Sequence, residues 1–308
     1  MDIVGKRRIF LGISAILVAL SIVVLFAPGL RLGIDFVAGT SITYEFTDAD
    51  PGTAEVRAAL IEAGQDTVVV QNLGGGEYFV RTNELGEGDK ERLDDALEQL
   101  TGAPPITLDL TTVGRSVADD TVQNAITAVV VASIFVMLYI MYAFRAVPNS
   151  FRYAVAAVVA LLHDVLIALG VFVVLGVAIN AEVNAIFIVG ILTVIGYSVN
   201  DTIVVFDRIR ENVTLAPGRP FRSTVNLSIN ETIVRSLATS ITTMIVILAM
   251  LLFGGASLRD FLLVLLTGVA VGTYSSIFIA AQILVAWESG ELSRFMPRRP
   301  RRATAESA

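Results

Sequence analysis

The sequence predicts an α-helical membrane protein with six transmembrane helices and one soluble α+β domain inserted after the first helix. Six apolar runs each approach the ~20 residues that cross a bilayer. The chain is 55% hydrophobic with a mean hydropathy of +0.73, more than soluble domains carry in such runs. Between the first two runs lies an acidic stretch: residues 31–120 hold 18 of the 29 acidic residues but 6 of the 22 basic ones.

The six predicted spans cover residues 9–27, 125–142, 153–177, 185–206, 237–253 and 261–286. The first follows Lys6, Arg7 and Arg8, but it is too long for a signal-peptide core and lacks a small-residue cleavage site, so we expect a retained anchor. Four regions follow: an N-terminus with the first helix (1–29), an extracytoplasmic or periplasmic domain (30–122), helices two to six (123–288) and a basic tail (289–308).

Arginine and lysine predict the orientation. If the spans alternate, the basic residues of the N-terminus, of the loops after spans two and four and of the tail all lie on one side. The short loops on the other side contain only Arg259. The positive-inside rule then places both termini in the cytoplasm and the insert outside the bacterial cytoplasmic membrane, in a multi-pass protein.

The insert alternates strand and helix patterns. We expect strands at 41–46, 66–72, 77–81 and 106–113, and helices at 53–64 and 88–100. Thr53 is the expected N-cap of the first helix, and Gly64 the residue after its end. Gly74, Gly75 and Gly76 are not followed by Lys-Ser/Thr, so they predict a hairpin turn and not a phosphate-binding loop. The order β-α-β-β-α-β predicts a ferredoxin-like domain.

Composition excludes several classes of function. The chain has no cysteine, one histidine and a net charge of −7, which disfavours disulfides, thiolate or histidine metal sites and nucleic-acid binding. It contains no nucleotide motif and no visible nucleophile–base constellation, so we expect neither an enzyme nor a bound cofactor. Any energy source is then an ion gradient or a partner.

Asp201 is the leading functional candidate. It lies about five residues inside the cytoplasmic end of span four, where a lipid-facing carboxylate is strongly disfavoured. Thr193, Tyr197 and Asp201 recur every four residues and Asn200 widens the stripe, so we expect this face to contact protein or water. The alternative for Asp201 is a structural hydrogen bond between helices.

Other polar and small residues within the spans leave two interpretations open. Arg235 is depth-matched to pair with Asp201, or is an ordinary arginine that extends to the interface. His163 and Asp164, near the middle of span three, fit a proton relay or hydrogen bonding between helices. Gly268, Gly272 and Ser276 share one face of span six and predict close helix packing.

Five stretches resemble one family. They are LGIDFVAGT at 32–40, which includes Gly33, Asp35, Phe36 and Gly39, then LHD at 162–164, IGYSVNDTIVVFDR at 195–208, NETIVRS at 230–236 and GTYSS at 272–276. Together they resemble the SecD/SecF family, a branch of the RND superfamily. The resemblance covers nearly the whole chain, although the family usually has glycine at the position of Ala38.

The resemblance implies six transmembrane helices of RND type and a ferredoxin-like periplasmic domain. It also implies a subunit that promotes protein export with SecD, at the SecYEG channel and indirectly with the ATPase SecA. The cargo would be an unfolded polypeptide, the surroundings membrane lipid and the energy source the proton motive force. Asp201 and Arg235 match charged positions implicated in proton-coupled cycling, and His163 and Asp164 match a shared motif. Two alternatives are half of an RND-type small-molecule exporter and a purely structural partner of SecD.

Overall fold

The computed structural model describes residues 1–47, 50–145, 147, 149–255 and 258–291, so the arginines predicted in the tail lie outside the described residues. In chain order the helices and strands are α1 (Arg7–Phe26), α2 (Ile34–Val37), β1 (Gly39–Glu45), α3 (Thr53–Glu62), β2 (Val69–Gly74), β3 (Glu77–Thr82), α4 (Asp89–Thr101), β4 (Ile106–Val113), α5 (Arg115–Ala143), α6 (Ser150–Ile179), α7 (Ala185–Leu215), α8 (Phe221–Phe253), α9 (Arg259–Ser275) and α10 (Ala281–Glu288). A 3-10 turn, Val4–Lys6, precedes α1, and a π-helical segment, Ser276–Ala280, joins α9 to α10.

Six helices of the described chain are long and apolar enough to span a membrane, with mean hydropathies of 1.8–2.9 in their most apolar windows. This confirms the six predicted spans. The helices extend beyond the apolar runs, because polar turns outside the hydrocarbon also form helix. Arg208, for example, pairs with Glu211 one turn later and with Glu231 on α8, which stabilises the polar end of α7.

Three helices form the centre of the membrane body. About half of the apolar window is buried in α6 (50%), in α7 (50%) and in the α9–α10 helix (56%), against 6% in α5 and 17% in α8. The centre is tight because α9 presents glycine to α7: a β-carbon at Gly268 would overlap Val194, and one at Gly272 would lie 3.1 Å from the Ser198 β-carbon. The predicted small face of the sixth span therefore lies at the α7–α9 contact.

The insert contains one antiparallel sheet in the order β2-β3-β1-β4. Helices α3 and α4 cover one face of the sheet, and the core contains Ile42, Tyr44, Val56, Leu60, Val80, Leu93 and Leu97. Gly74, Gly75 and Gly76 all adopt positive φ and form the predicted hairpin turn between β2 and β3.

The ends of α3 differ in part from the expectation. Thr53 was expected to be the N-cap, but it is already helical and Gly52 occupies the cap position. The Glu55 side chain accepts a hydrogen bond from the Gly52 amide at 3.3 Å, which replaces the expected threonine cap. Gly64 follows the C-terminus with φ +102°, as predicted.

A junction connects the insert to the membrane body. It consists of residues 31–35, the loop 180–185 and the side chains of the sheet that contact this loop. Leu32 bridges to Val183 in parallel, and the Gly33 amide donates to the Val183 carbonyl at 2.8 Å. Arg81 of β3 pairs with Glu182 at 3.1 Å. The sheet therefore contacts the membrane body through side chains as well as through the covalent connections.

Candidate functional site

Two buried carboxylates lie between the central helices. Asp164 belongs to α6 and Asp201 to α7, and their side chains are 1% and 7% exposed. Both contact the start of the π-helical segment, where α9 ends. We call these two residues and their hydrogen-bond donors the carboxylate cluster.

Asp164 is hydrogen-bonded on both oxygens. One oxygen lies 2.9 Å from Nδ1 of His163, so the side chains of these two neighbours on the helix contact each other. The other oxygen accepts from Ser198 of α7 at 2.5 Å and from Ser275 at 2.6 Å. These bonds join three helices, as the interhelical interpretation of this residue requires; its role as a proton relay stays a prediction.

Asp201 accepts a hydrogen bond from the Ser276 hydroxyl at 2.5 Å. Ser276 was expected only as a packing residue, yet its hydroxyl is the side-chain donor to Asp201 in the described part of the chain. Because buried polar groups require partners, these donors make the burial of a carboxylate tolerable. The Ser276 hydroxyl is a neutral partner, so this contact is a hydrogen bond and not an ion pair.

Arg235 does not pair with Asp201 in this structure, so of the two interpretations that the sequence left open the ion pair is not the one observed. The arginine lies on the exposed face of α8. Within the part of the chain that the structure describes, no carboxylate is within ion-pair distance of it. The two residues were matched by their position along the helices, but their side chains face different directions around the helix axes, and Asp201 is directed toward the end of α9. The position of a residue along a helix can be read from the sequence, whereas the direction in which its side chain faces depends on packing.

The predicted polar stripe on α7 divides between two environments. Tyr197 is half-buried and donates to Ser240 of α8 at 3.1 Å, and Asp201 is buried, whereas Thr193 and Asn200 are exposed. Four residues turn a helix by about 400°, which is about 40° more than a full turn. Over the eight residues from Thr193 to Asp201 the side-chain direction therefore rotates by about 80°. The Asn200 side chain has no partner among the residues described.

The sequence did not predict the hydroxyl donors of the buried carboxylates. Ser198 and Ser275 bind Asp164, and Thr273 donates to Ser240 at 2.5 Å. Nothing in the hydropathy pattern marks these residues, because serine and threonine are tolerated in apolar helices. A usable signal is small polar residues at the depth of a buried carboxylate.

Three buried side chains lack partners in the described chain: His163 at Nε2, Ser236, and both amide atoms of Gln282.

The 32–40 motif begins within the junction and continues into β1. The Asp35 carboxylate accepts from the Ala185 amide at 2.7 Å and thereby binds the first residue of α7, while Phe36 packs on the membrane core. Gly39 has φ +136°, and a β-carbon there would lie 2.5 Å from the Thr82 carbonyl. Ala38 has φ +63°, a backbone conformation that favours glycine.

Comparison with known proteins identifies relatives. The family described as protein export membrane protein SecD/SecF, C-terminal, matches residues 95–290, and the SecD/SecF GG motif family matches residues 23–50. Protein translocase subunit SecF of Thermobaculum terrenum is 39% identical, over 99% of this chain and 99% of its own. Protein translocase subunit SecDF of Thermus thermophilus is 36% identical, over 94% of this chain and 38% of its own length.

A solved structure has the same fold. The crystal structure of SecDF from Thermus thermophilus, a translocon-associated membrane protein, matches with a TM-score of 0.83 and 35% identity over 94% of this chain and 39% of that chain. A family match over more than half of the sequence and full-length relatives above 30% identity agree, and the chain belongs to the SecD/SecF family of protein export membrane proteins.

Proposed function

We propose that this chain is the SecF-like subunit of a Sec protein translocase and promotes protein export with the proton motive force. One observation carries the coupling: Asp201 is buried among spanning helices and is held by a hydroxyl group, with no cation beside it in the described chain. Such a carboxylate exchanges a proton without breaking an ion pair. One charge that crosses ~100 mV supplies about 2.3 kcal/mol, enough to bias a conformational equilibrium tens-fold.

The proposed topology places both termini in the cytoplasm and the insert outside. It is supported by the basic residues on the terminal side of the spans. We also assign the insert to the ferredoxin-like folds. Its element order β-α-β-β-α-β and its antiparallel strand order β2-β3-β1-β4 support this assignment. Outside the membrane, this domain would hold or release the emerging polypeptide.

SecD is the proposed direct partner. Some relatives contain SecD and SecF in one chain, of which this sequence matches less than two fifths. Asn200 of α7 and Arg235 of α8 are both exposed, and neither side chain has a partner in the described chain. SecD helices that cover these two positions would supply the missing partners. SecYEG, SecA and the exported polypeptide follow as partners of the same assembly.

The proposal predicts that Asp201→Asn, reconstituted with SecD and the translocon in vesicles, assembles normally but loses gradient-stimulated export. Asparagine keeps the shape and removes the proton-binding group. Asp207→Asn is the matched control, because Asp207 is exposed and pairs with Arg210 at the polar end of the same helix. Export of a labelled preprotein with and without a proton gradient is the measurement. Full stimulation by Asp201→Asn would favour a purely structural role for the chain.

A further inference from the structure

Two consecutive serines connect the two buried carboxylates to one helix. Ser275, the last residue of α9, donates to Asp164 of α6, and Ser276, the first residue of the π-helical segment, donates to Asp201 of α7. A π-helical turn contains one residue more than an α-helical turn needs, and such turns concentrate at functional sites. The irregular part of the sixth span thus begins where it contacts both carboxylates.

Each serine hydroxyl has two acceptors within reach. Ser275 lies 2.6 Å from Asp164 and 3.1 Å from the carbonyl of Gly272, three residues earlier. Ser276 lies 2.5 Å from Asp201 and 3.1 Å from the carbonyl of Thr273. A hydroxyl has one proton, so the two acceptors compete for it. A charged carboxylate wins, because hydrogen bonds to ionised groups are roughly twice as strong as neutral ones.

The competition changes when a carboxylate becomes neutral. The hydroxyl then turns toward its own backbone carbonyl, a bond that bends helices. Gly268 and Gly272 hold α9 tightly against α7, so the bend falls beyond residue 275 and moves α10. His163 is the titratable side chain bonded to Asp164; Tyr274 of α9 lies beside it at 6.5 Å between rings, and no lysine or arginine of the described chain bonds to either carboxylate.

We propose that Ser275 and Ser276 are positioning residues that transmit the charge of Asp164 and Asp201 to the π-helical segment and thereby set the placement of α10. This deepens the proposed function and rests on it for its biological meaning. A movement of α10 would change the contacts at its C-terminal end, where Glu288 pairs with Arg152 of α6 and Trp287 packs on Phe151.

The test uses the absence of native cysteine. Spin labels at Leu215→Cys, the 72% exposed end of α7, and at Ser289→Cys, just after α10, report the distance between the two helices by pulsed electron paramagnetic resonance of the full chain in lipid nanodiscs. We expect Asp201→Asn to shift the mean distance by at least about 1.5 Å, the rise of one residue. Adding Ser276→Ala removes most of that shift, because alanine has no hydroxyl to turn.

The control is Ser236→Ala, which leaves the shift intact, because Ser236 is buried and its hydroxyl has no hydrogen-bond partner in the described chain. Asp164→Asn with and without Ser275→Ala is the second, independent pair. The inference is overturned if neither aspartate variant shifts the distance, or if the shifts survive loss of the serines. Loss of gradient-stimulated export in Asp201→Asn without a distance change would retain the proposed function and reject this inference. A distance change in Asp201→Asn without loss of gradient-stimulated export would retain this inference and reject the proposed function.

Discussion

At the scale of single residues, the backbone of Ala38 adopts a conformation that suits glycine. Its φ of +63° and ψ of 162° lie in a region that is almost restricted to glycine, and a β-carbon there costs on the order of 1–3 kcal/mol. The residue joins α2 to β1, where the chain must turn from the membrane into the sheet. Surrounding contacts from Ile34, Val113 and Ala118 hold it in place.

We predict that Ala38→Gly raises the free energy of unfolding by about 1 kcal/mol, since relief of strain outweighs the extra freedom of the unfolded chain. Thermal unfolding of the full chain in detergent, followed by circular dichroism, measures the effect. Ala58→Gly is the matched control: Ala58 is exposed within α3, and glycine there lowers stability by about 1 kcal/mol. A loss of stability in Ala38→Gly would mean that the strain is absent.

Sequence was informative at this scale about which residues are unusual, and less so about their partners. Asp164 and Asp201 stand out because a carboxylate in an apolar run is costly in any packing arrangement. Their serine donors do not stand out, because serine in a helix satisfies itself on its own backbone when no partner is near, as Ser133 does with Val129.

At the scale of elements, the contact between α7 and α9 depends on glycine. A side chain at Gly268 would overlap Val194, whose branched side chain cannot turn away freely. The lipid supplies no hydrophobic drive between helices, so close packing of this kind stabilises the bundle.

We predict that Gly268→Ala destabilises the protein by about 1–3 kcal/mol, the cost of overpacking. Adding Val194→Ala recovers part of the loss, because the removed methyl groups make room for the new β-carbon. A double-mutant cycle of thermal unfolding measures the coupling. Gly12→Ala in α1, where a β-carbon meets nothing within 4 Å, is the control without a clash, and it is expected to be neutral or to stabilise by up to about 1 kcal/mol. Equal losses with and without Val194→Ala would contradict a direct clash.

At the scale of the whole molecule, the junction determines how the insert sits on the membrane body. Glu182 is central to it, since it pairs with Arg81 of the sheet and its amide donates to Asp260 at the start of α9. Burial raises the pKa of the Glu182 carboxyl above its ordinary value, and the Arg81 charge offsets only part of this shift. Protonation of Glu182 is therefore easier in the folded protein than in the unfolded chain.

The sign of the pH effect follows from the raised pKa. The folded state binds the proton more readily, so the contribution of Glu182 to stability is greatest at acid pH and is lost as pH rises through its raised pKa. We predict that the free energy of unfolding of the wild type, minus that of Glu182→Gln, decreases from pH 4 to pH 8, because glutamine does not titrate. Thermal unfolding of both proteins in detergent measures this difference. A difference that grows as pH rises would contradict the prediction.

Hydropathy, period and the cost of a buried charge are local properties, so the six spans, the four strands and two main helices of the insert, and the two carboxylates within the spans could be predicted from the sequence. Which side chains contact one another depended on the packing of the folded chain. It turned Asp201 toward Ser276 and left Arg235 exposed, since the rotation of each helix about its axis depends on how all its neighbours pack. For the same reason, the junction between loop 180–185 and the sheet could not be read from residues so far apart in the chain.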